Sequence, residues 1–222
     1  MTSGGLPTLH HLNNSQSQRV LWLLEELEVP YTLVTHIRDP VTHRSPPSLH
    51  EATPLGKAPT LVTADGVSII ECSAIMAYLL KTYDTSRKFQ GVGLIGHDPF
   101  LRDEVLTSYT SASVSPFTIA LIFIHWGILS DNSAGKVVEP TLASMYEFLE
   151  AQLGEQDYFM GTTPGRPDFM LSWEVDFAVQ NGWVELGPKL KAWRERILAS
   201  SGWKRAMEKP GLPYDLTSFK KR

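Results

Sequence analysis

A β-hairpin predicted between residues 60 and 70 limits the fold of this chain more than any other stretch. Two apolar runs, Thr60 to Thr63 and Val67 to Ile70, flank the turn Ala64-Asp65-Gly66. Asp-Gly supplies the positive φ angles of a tight hairpin, so the two runs predict antiparallel strands. Pro59 stands directly before the first strand. Only proline adopts a cis peptide bond at low cost, and a cis bond at Ala58–Pro59 would turn the preceding backbone outward, whereas a trans proline there would simply shape a turn.

A helix is predicted directly after the hairpin. Glu71-Cys72-Ser73 lies at its start, where unpaired backbone N–H groups suit a carboxylate ligand. The same hairpin therefore predicts a peptide-docking edge at Pro59 and an anion site at Cys72 and Ser73. The helix has one apolar face, formed by Ile75, Met76, Leu79, Leu80 and Tyr83.

The stretch before the hairpin predicts a strand, a helix and a second strand. Thr8 to Leu12 is the first strand, and Tyr31 to Val34 is the second. Residues 35–53 contain several prolines, which argue against long regular structure. The order β-α-β followed by β-β-α predicts a thioredoxin-like α/β domain over residues 1–84. The helix between the two strands has one apolar face, formed by Val20, Leu23, Leu24 and Leu27.

Beyond residue 84 the strand signals stop. Residues 85–97 carry three glycines without a helical period and are predicted to be a linker. Residues 98–222 predict an all-α helical bundle. Its first helix is expected to break or bend before Pro116, and the apolar run Phe117 to Leu129 predicts a buried core helix. Later helices are predicted around Val138–Leu153, Asp168–Phe177, Leu190–Ile197 and Trp203–Met207.

Composition excludes several classes of function. The chain has 222 residues, a net charge of -4 and a pI near 6.0, which predicts no nucleic-acid partner. One cysteine rules out an intrachain disulfide and favours a reducing, cytoplasmic location, and the N-terminus shows no secretory signal. The longest apolar run is shorter than the roughly 20 residues of a membrane span, so no membrane contact is expected. The histidines lack metal-site spacing, so no metal is expected.

Two motifs carry a resemblance to a known family. Lys57-Ala58-Pro59 followed by Glu71-Cys72-Ser73-Ala74-Ile75 resembles the cis-proline and the Glu-Ser-x-Ala-Ile signature of cytosolic glutathione transferases. The resemblance spans most of the chain. It implies a glutathione-binding first domain, an all-helical domain lining the second-substrate pocket, and a two-fold homodimer. Gly165 to Asp168 stands where the family has a Ser/Thr-x-x-Asp capping box, so a weaker helix cap is expected.

The resemblance also implies roles for individual residues. Ser15 and Ser17 lie where a serine commonly caps a helix, and a hydroxyl there can also donate a hydrogen bond to a thiolate stabilised by the helix dipole. The sulfur-contacting role falls on Asn14, Ser15 or Ser17, of which we favour Ser15. For the remainder of glutathione the resemblance implies Arg38 and Lys57 at the glycine carboxylate, Ala58 and Pro59 at the cysteinyl unit, and Glu71, Cys72 and Ser73 at the γ-glutamyl end. Second-substrate candidates are Tyr109, Ser113, Phe117 and Trp173.

The leading functional interpretation is a transferase that ionises glutathione for attack on a hydrophobic electrophile, as in detoxification. An activated thiolate can also add to a conjugated double bond and leave again, so a glutathione-dependent cis–trans isomerase of secondary metabolism is an alternative. A non-catalytic carrier of glutathione or of hydrophobic molecules is a third interpretation. Cys72 departs from the family serine, and its thiol is a weaker donor than a hydroxyl.

Overall fold

The computed structural model describes residues 5–53, 55–129 and 134–212. The described chain forms two compact units. The first contains residues 5–85 together with 200–212, and the second contains residues 86–199.

The first unit contains a four-stranded mixed sheet that confirms the predicted α/β order. The strands are β1 (Thr8–Leu12), β2 (Thr32–His36), β3 (Thr60–Val62) and β4 (Ser68–Ile69). Their order is β2-β1-β3-β4, with β1 parallel to β2 and the other two pairs antiparallel. The hairpin turn forms as predicted, with Gly66 at φ 88°. The helices of this unit are α1 (Ser17–Leu27), the six-residue α2 (Pro47–Ala52) and α3 (Cys72–Tyr83).

The last helix, α9 (Ser201–Met207), belongs to this first unit, whereas the sequence pattern had placed it in the helical domain. It packs against α1, where the ring of Trp203 lies edge-on to Trp22 with centroids 5.7 Å apart. Arg205 Nε also donates a hydrogen bond to Glu25 Oε2 at 3.1 Å. Apolar spacing shows that one face of a short helix is buried, but it does not show which helix covers that face.

The second unit is helical, as predicted. Its elements are α4 (Pro99–Tyr109), a π-helical turn (Thr110–Val114), α5 (Ser115–His125), α6 (Ala134–Leu153), α7 (Arg166–Gln180) and α8 (Pro188–Ala199). The interruption predicted before Pro116 takes the form of this π-helical turn, through which the chain passes from α4 to α5 without a break. Pro116 lies in the first turn of α5, where the N–H that proline lacks is not needed.

The helical stretch Pro99–His125 is longer and more exposed than the predicted core helix. It has 27 residues, and its most apolar 18-residue window has a mean hydropathy of 1.3 and is 44% buried. By length and composition alone this stretch could cross a membrane, but the core helices of globular proteins meet the same criterion. On α5 only one side is buried, through Thr118, Leu121 and Ile122, while Phe123 is 37% exposed.

The start of α7 is organised by the fully buried carboxylate of Asp168. Its Oδ2 accepts a hydrogen bond from the N–H of Gly165 at 2.8 Å. Its Oδ1 accepts two more at 2.8 Å, from the N–H of Phe159 and from Trp193 Nε1. Burial raises the pKa of Asp168 to about 6, against the lowering effect of these hydrogen bonds. Half of the predicted capping box is thus present, with glycine in the capping position.

Gly165 is explained by its neighbour Met160. The φ angle of Gly165 is -122°, which any residue can adopt, but a Cβ there would lie 2.6 Å from Met160 Cβ. We therefore expect Gly165→Ser to lower the free energy of unfolding by about 1–3 kcal/mol, as overpacking does, although it restores the hydroxyl of the family motif.

Urea unfolding would measure this change, with Gly165→Ala as the control that adds the same Cβ without a hydroxyl. The alanine variant should be less stable than the serine variant by about 1 kcal/mol, the usual contribution of a serine cap. A Gly165→Ser protein more stable than the wild type would show that Met160 does not restrict this position.

Candidate functional site

In the turn between β1 and α1, a short series of hydrogen bonds links Leu12, Ser17 and Ser15. The Oγ atoms of Ser15 and Ser17 lie 2.6 Å apart. Ser15 Oγ also accepts a hydrogen bond from the Ser17 N–H at 3.2 Å, and Ser17 Oγ accepts one from the Leu12 N–H at 3.5 Å. Because Ser17 is fully buried, its hydroxyl proton is best used on Ser15 Oγ. Ser15 Oγ then accepts two hydrogen bonds, from the Ser17 hydroxyl and from the Ser17 N–H.

The three sulfur-contact candidates differ in backbone and exposure. Ser17 is the first residue of α1 and has no exposed surface, while Ser15 and Asn14 are each 5% exposed. Asn14 has a φ of 50°, in the left-handed region that asparagine tolerates better than most residues. Neither serine takes the capping position, which is held by Gln16. This geometry favours Ser15 over Ser17 as the residue that can reach a ligand.

Arg38 does not present a free cation to a ligand. Its Nε donates to the carbonyl of Asn13 at 3.1 Å, and Nη2 donates to the carbonyl of Asn14 at 3.4 Å. Nη1 donates to the carbonyl of His43 at 2.9 Å. The predicted contact with a glycine carboxylate therefore conflicts with backbone contacts that the sequence did not reveal. Lys57, in contrast, is exposed.

The segment before β3 offers backbone groups that can pair with a peptide. The Ala58–Pro59 bond is cis, as predicted. Within the described residues the N–H and C=O of Ala58 have no hydrogen-bond partner, although the neighbouring Lys57 carbonyl accepts a bond from Thr60 Oγ1 at 2.9 Å. Unpaired main-chain groups at the end of a strand are suited to binding an extended peptide as an added strand.

The start of α3 lies beside the β1–α1 turn. Cys72 Sγ is 3.7 Å from Oε1 of Gln16, a residue that no sequence pattern had indicated. The N-cap residue Glu71 makes no side-chain hydrogen bond to the first turn of α3, and N–H groups at a helix start, such as that of Ser73, are suited to an anion. The exposed Glu71 has a φ of 68°, which costs a non-glycine residue about 1–3 kcal/mol and is typical of a functional position.

Comparisons with known proteins show the family to which the chain belongs. Residues 9–87 match the family described as "Glutathione S-transferase, N-terminal domain", and residues 114–201 match "Glutathione S-transferase, C-terminal domain". The chain belongs to the glutathione S-transferase family. Glutathione S-transferase 3 of Schizosaccharomyces pombe is 28% identical to it over 216 residues, covering 90% of this chain and 86% of that protein.

Solved glutathione S-transferases share the fold. A structure from Actinobacillus pleuropneumoniae has a TM-score of 0.78 and 25% identity, and the match covers 97% of this chain and 98% of that one. A glutathione transferase from Phanerochaete chrysosporium, solved with oxidized glutathione, has a TM-score of 0.74 and 20% identity, and the match covers 93% of this chain and 95% of that one.

The four residues predicted to line a second-substrate pocket have unequal surroundings. Tyr109, Ser113 and Phe117 are partly exposed and follow one another along the α4–α5 stretch. Trp173 is only 3% exposed, and its ring packs against Phe177 with centroids 5.1 Å apart. Trp173 is therefore a core residue of the helical unit, and its burial argues against contact with a substrate.

The histidines of the first unit have local roles. His10 Nδ1 lies 3.1 Å from His36 Nε2, and His36 Nδ1 lies 3.0 Å from Ser48 Oγ. Burial lowers the pKa of both imidazoles, and it lowers the pKa of His11 to about 4. In residues 5–53, 55–129 and 134–212 no group of three or more His, Cys, Asp or Glu side chains is placed to hold a metal ion.

Proposed function

We propose that this chain is a glutathione transferase that binds glutathione in its first unit and activates the thiol for attack on a hydrophobic electrophile. The observation that carries the proposal is Ser15, whose Oγ lies 2.6 Å from Ser17 Oγ and accepts from the Ser17 N–H at 3.2 Å. Two further features of the same unit support it. The unpaired backbone of Ala58 suits a peptide, and the start of α3, which the Glu71 side chain does not cap, suits a carboxylate.

Each of these groups would have a separate task. Glutathione, when bound, supplies the nucleophilic sulfur. Ser15 would donate its proton as a hydrogen bond to the thiolate, and the N-terminal end of α1 would stabilise the negative charge further. Ala58 would hold the cysteinyl unit, Ser73 and the Cys72 N–H would hold the γ-glutamyl carboxylate, and the Glu71 carboxylate would face the ammonium group. A free thiol with a pKa near 8.5 is only a few per cent ionised at neutral pH, so lowering its pKa is the main chemical contribution.

Binding and turnover together test this function. Calorimetry should show glutathione binding, and mixing with a chlorodinitrobenzene should give the glutathione conjugate at a rate well above the uncatalysed one. No binding at millimolar glutathione would defeat the proposal. Binding without turnover of any electrophile would indicate a carrier, and return of unchanged glutathione with an isomerised product would indicate an isomerase.

We further propose a hydrophobic second substrate, a homodimer and a cytoplasmic location. The partly exposed face of Tyr109, Ser113 and Phe117 supports the apolar substrate. Exposed apolar side chains on α4, among them Phe100 at 74% and Leu101 at 60%, are suited to burial against a second copy. Sedimentation that gives a 24.8 kDa monomer at micromolar concentration would contradict the dimer.

A further inference from the structure

Arg38 lies just after β2 and forms hydrogen bonds with the β1–α1 turn through both its side chain and its backbone N–H. Its side chain donates to the carbonyls of Asn13 at 3.1 Å and Asn14 at 3.4 Å, which are the two peptide units directly before Ser15. Its backbone N–H donates to Asn13 Oδ1 at 2.7 Å. A third side-chain bond, 2.9 Å to the carbonyl of His43, fixes the other side of the guanidinium. The residue therefore fastens the turn to the segment that follows β2.

The turn has an uncommon backbone conformation at Asn14. Its φ of 50° lies in the left-handed region, which few residues with a Cβ other than asparagine and aspartate adopt. Asn14 directly precedes Ser15, so its φ and ψ angles set the direction in which the Ser15 hydroxyl points. If the Asn14 carbonyl changed its orientation, Ser15 Oγ would move away from Ser17 Oγ, and the 2.6 Å contact between these two atoms would be lost.

We propose that Arg38 is a positioning residue that holds the Ser15 hydroxyl against the glutathione sulfur, rather than a ligand of the glutathione carboxylate. This inference rests on the proposed function. The planar guanidinium is required because its fixed fork of N–H donors reaches three carbonyls at once. A lysine would keep the charge but offer a single ammonium group, so charge alone would not preserve the turn.

Arg38→Lys therefore distinguishes positioning from ligand binding. We expect the thiol pKa of bound glutathione, followed by the ultraviolet absorbance of the thiolate, to rise by about one unit, with a roughly tenfold loss of turnover at neutral pH. The loss should shrink as the pH rises, since the thiol then ionises without help. The dissociation constant for glutathione, measured by calorimetry, should stay within about twofold, since the arginine does not bind the ligand.

Lys57→Met is the opposing comparison, since Lys57 is an exposed cation next to the docking edge. It should weaken glutathione binding and leave the thiol pKa unchanged. Asn13→Ala, which removes the acceptor of the Arg38 backbone N–H, should raise the thiol pKa in the same direction as Arg38→Lys, and it provides the test if the Arg38 variant does not fold.

Two outcomes would overturn the inference alone. In one, Arg38→Lys weakens glutathione binding while the thiol pKa stays at the wild-type value, so that Arg38 is a carboxylate ligand. In the other, binding and thiol pKa are both unchanged. A wild-type protein that binds no glutathione would defeat the proposed function itself, and is recognised before any variant is compared.

Discussion

Replacing Asp168 with alanine is expected to lower the free energy of unfolding at neutral pH by at least about 3 kcal/mol. The substitution leaves the N–H groups of Phe159 and Gly165 and the indole N–H of Trp193 without the carboxylate that accepts from each at 2.8 Å. Asp168 is fully buried, and each stranded donor in such a site costs about 1–3 kcal/mol. Urea unfolding followed by circular dichroism would measure the loss.

Asp98→Ala is the matched control for this experiment. Asp98 caps α4 in the same way, accepting from the N–H of Leu101 at 2.7 Å, but it is exposed. Water can replace that bond, so its loss should cost only about 0.5–2 kcal/mol. Equal losses of unfolding free energy in the two variants would contradict this prediction, because the burial of Asp168 would then add nothing to the cost of removing its hydrogen bonds. If Asp168→Ala does not accumulate as folded protein, Trp193→Phe, which removes one donor, should still cost about 1 kcal/mol.

Ser15→Ala is expected to reduce turnover at neutral pH by roughly ten- to over a hundredfold, which corresponds to one charge-assisted hydrogen bond of about 1.5–3 kcal/mol. The Ser15 hydroxyl is hydrogen-bonded to Ser17, which in turn accepts from the Leu12 N–H, and removing it would leave the thiolate with the helix dipole alone. Glutathione affinity should change little, because Ala58 and Cys72 lie outside this turn. Steady-state kinetics across a pH series would show the loss shrinking as the pH rises.

Variants at the two neighbouring positions control for a structural effect. Ser17→Ala removes the buried hydroxyl that lies 2.6 Å from Ser15 Oγ, so it should cost less turnover than Ser15→Ala. Asn14→Ala should act mainly through the left-handed backbone of Asn14. If Ser15→Ala is nearly silent while either neighbour slows turnover, the sulfur contact belongs to that neighbour. If all three are silent, the helix dipole activates the sulfur, or the protein is a carrier.

The fold followed from sequence wherever a local rule was strong. Asp65-Gly66 predicted the hairpin because few other residues tolerate positive φ, and the apolar spacing from Val20 to Leu27 predicted α1. At Pro116 the sequence indicated a break or bend but not its form, which is a π-helical turn followed by a helix with the proline in its first turn. The rule failed for α9, whose partner is decided by tertiary packing of Trp203 on Trp22.

The candidate site could be predicted only in part, because local sequence rules do not show tertiary contacts. Ser15, Ala58 and Cys72 could be selected as candidates because each stands at a boundary between elements, where helix ends and strand ends offer backbone groups to a ligand. Arg38 looked like a free cation, since residue type shows its charge but not the three carbonyls that surround it. Trp173 looked like a pocket residue because an aromatic side chain suits both a core and a pocket, and only its 3% exposure distinguishes the two.

The most direct test of the central claim is the pH titration of the glutathione thiol in the wild-type complex, followed by the ultraviolet absorbance of the thiolate. We expect a midpoint about two units below the value near 8.5 of a free thiol. In Ser15→Ala the midpoint should return by about one to two units toward that value. A wild-type midpoint equal to that of free glutathione would contradict the central claim, because the Ser15 turn would then do nothing to ionise the sulfur.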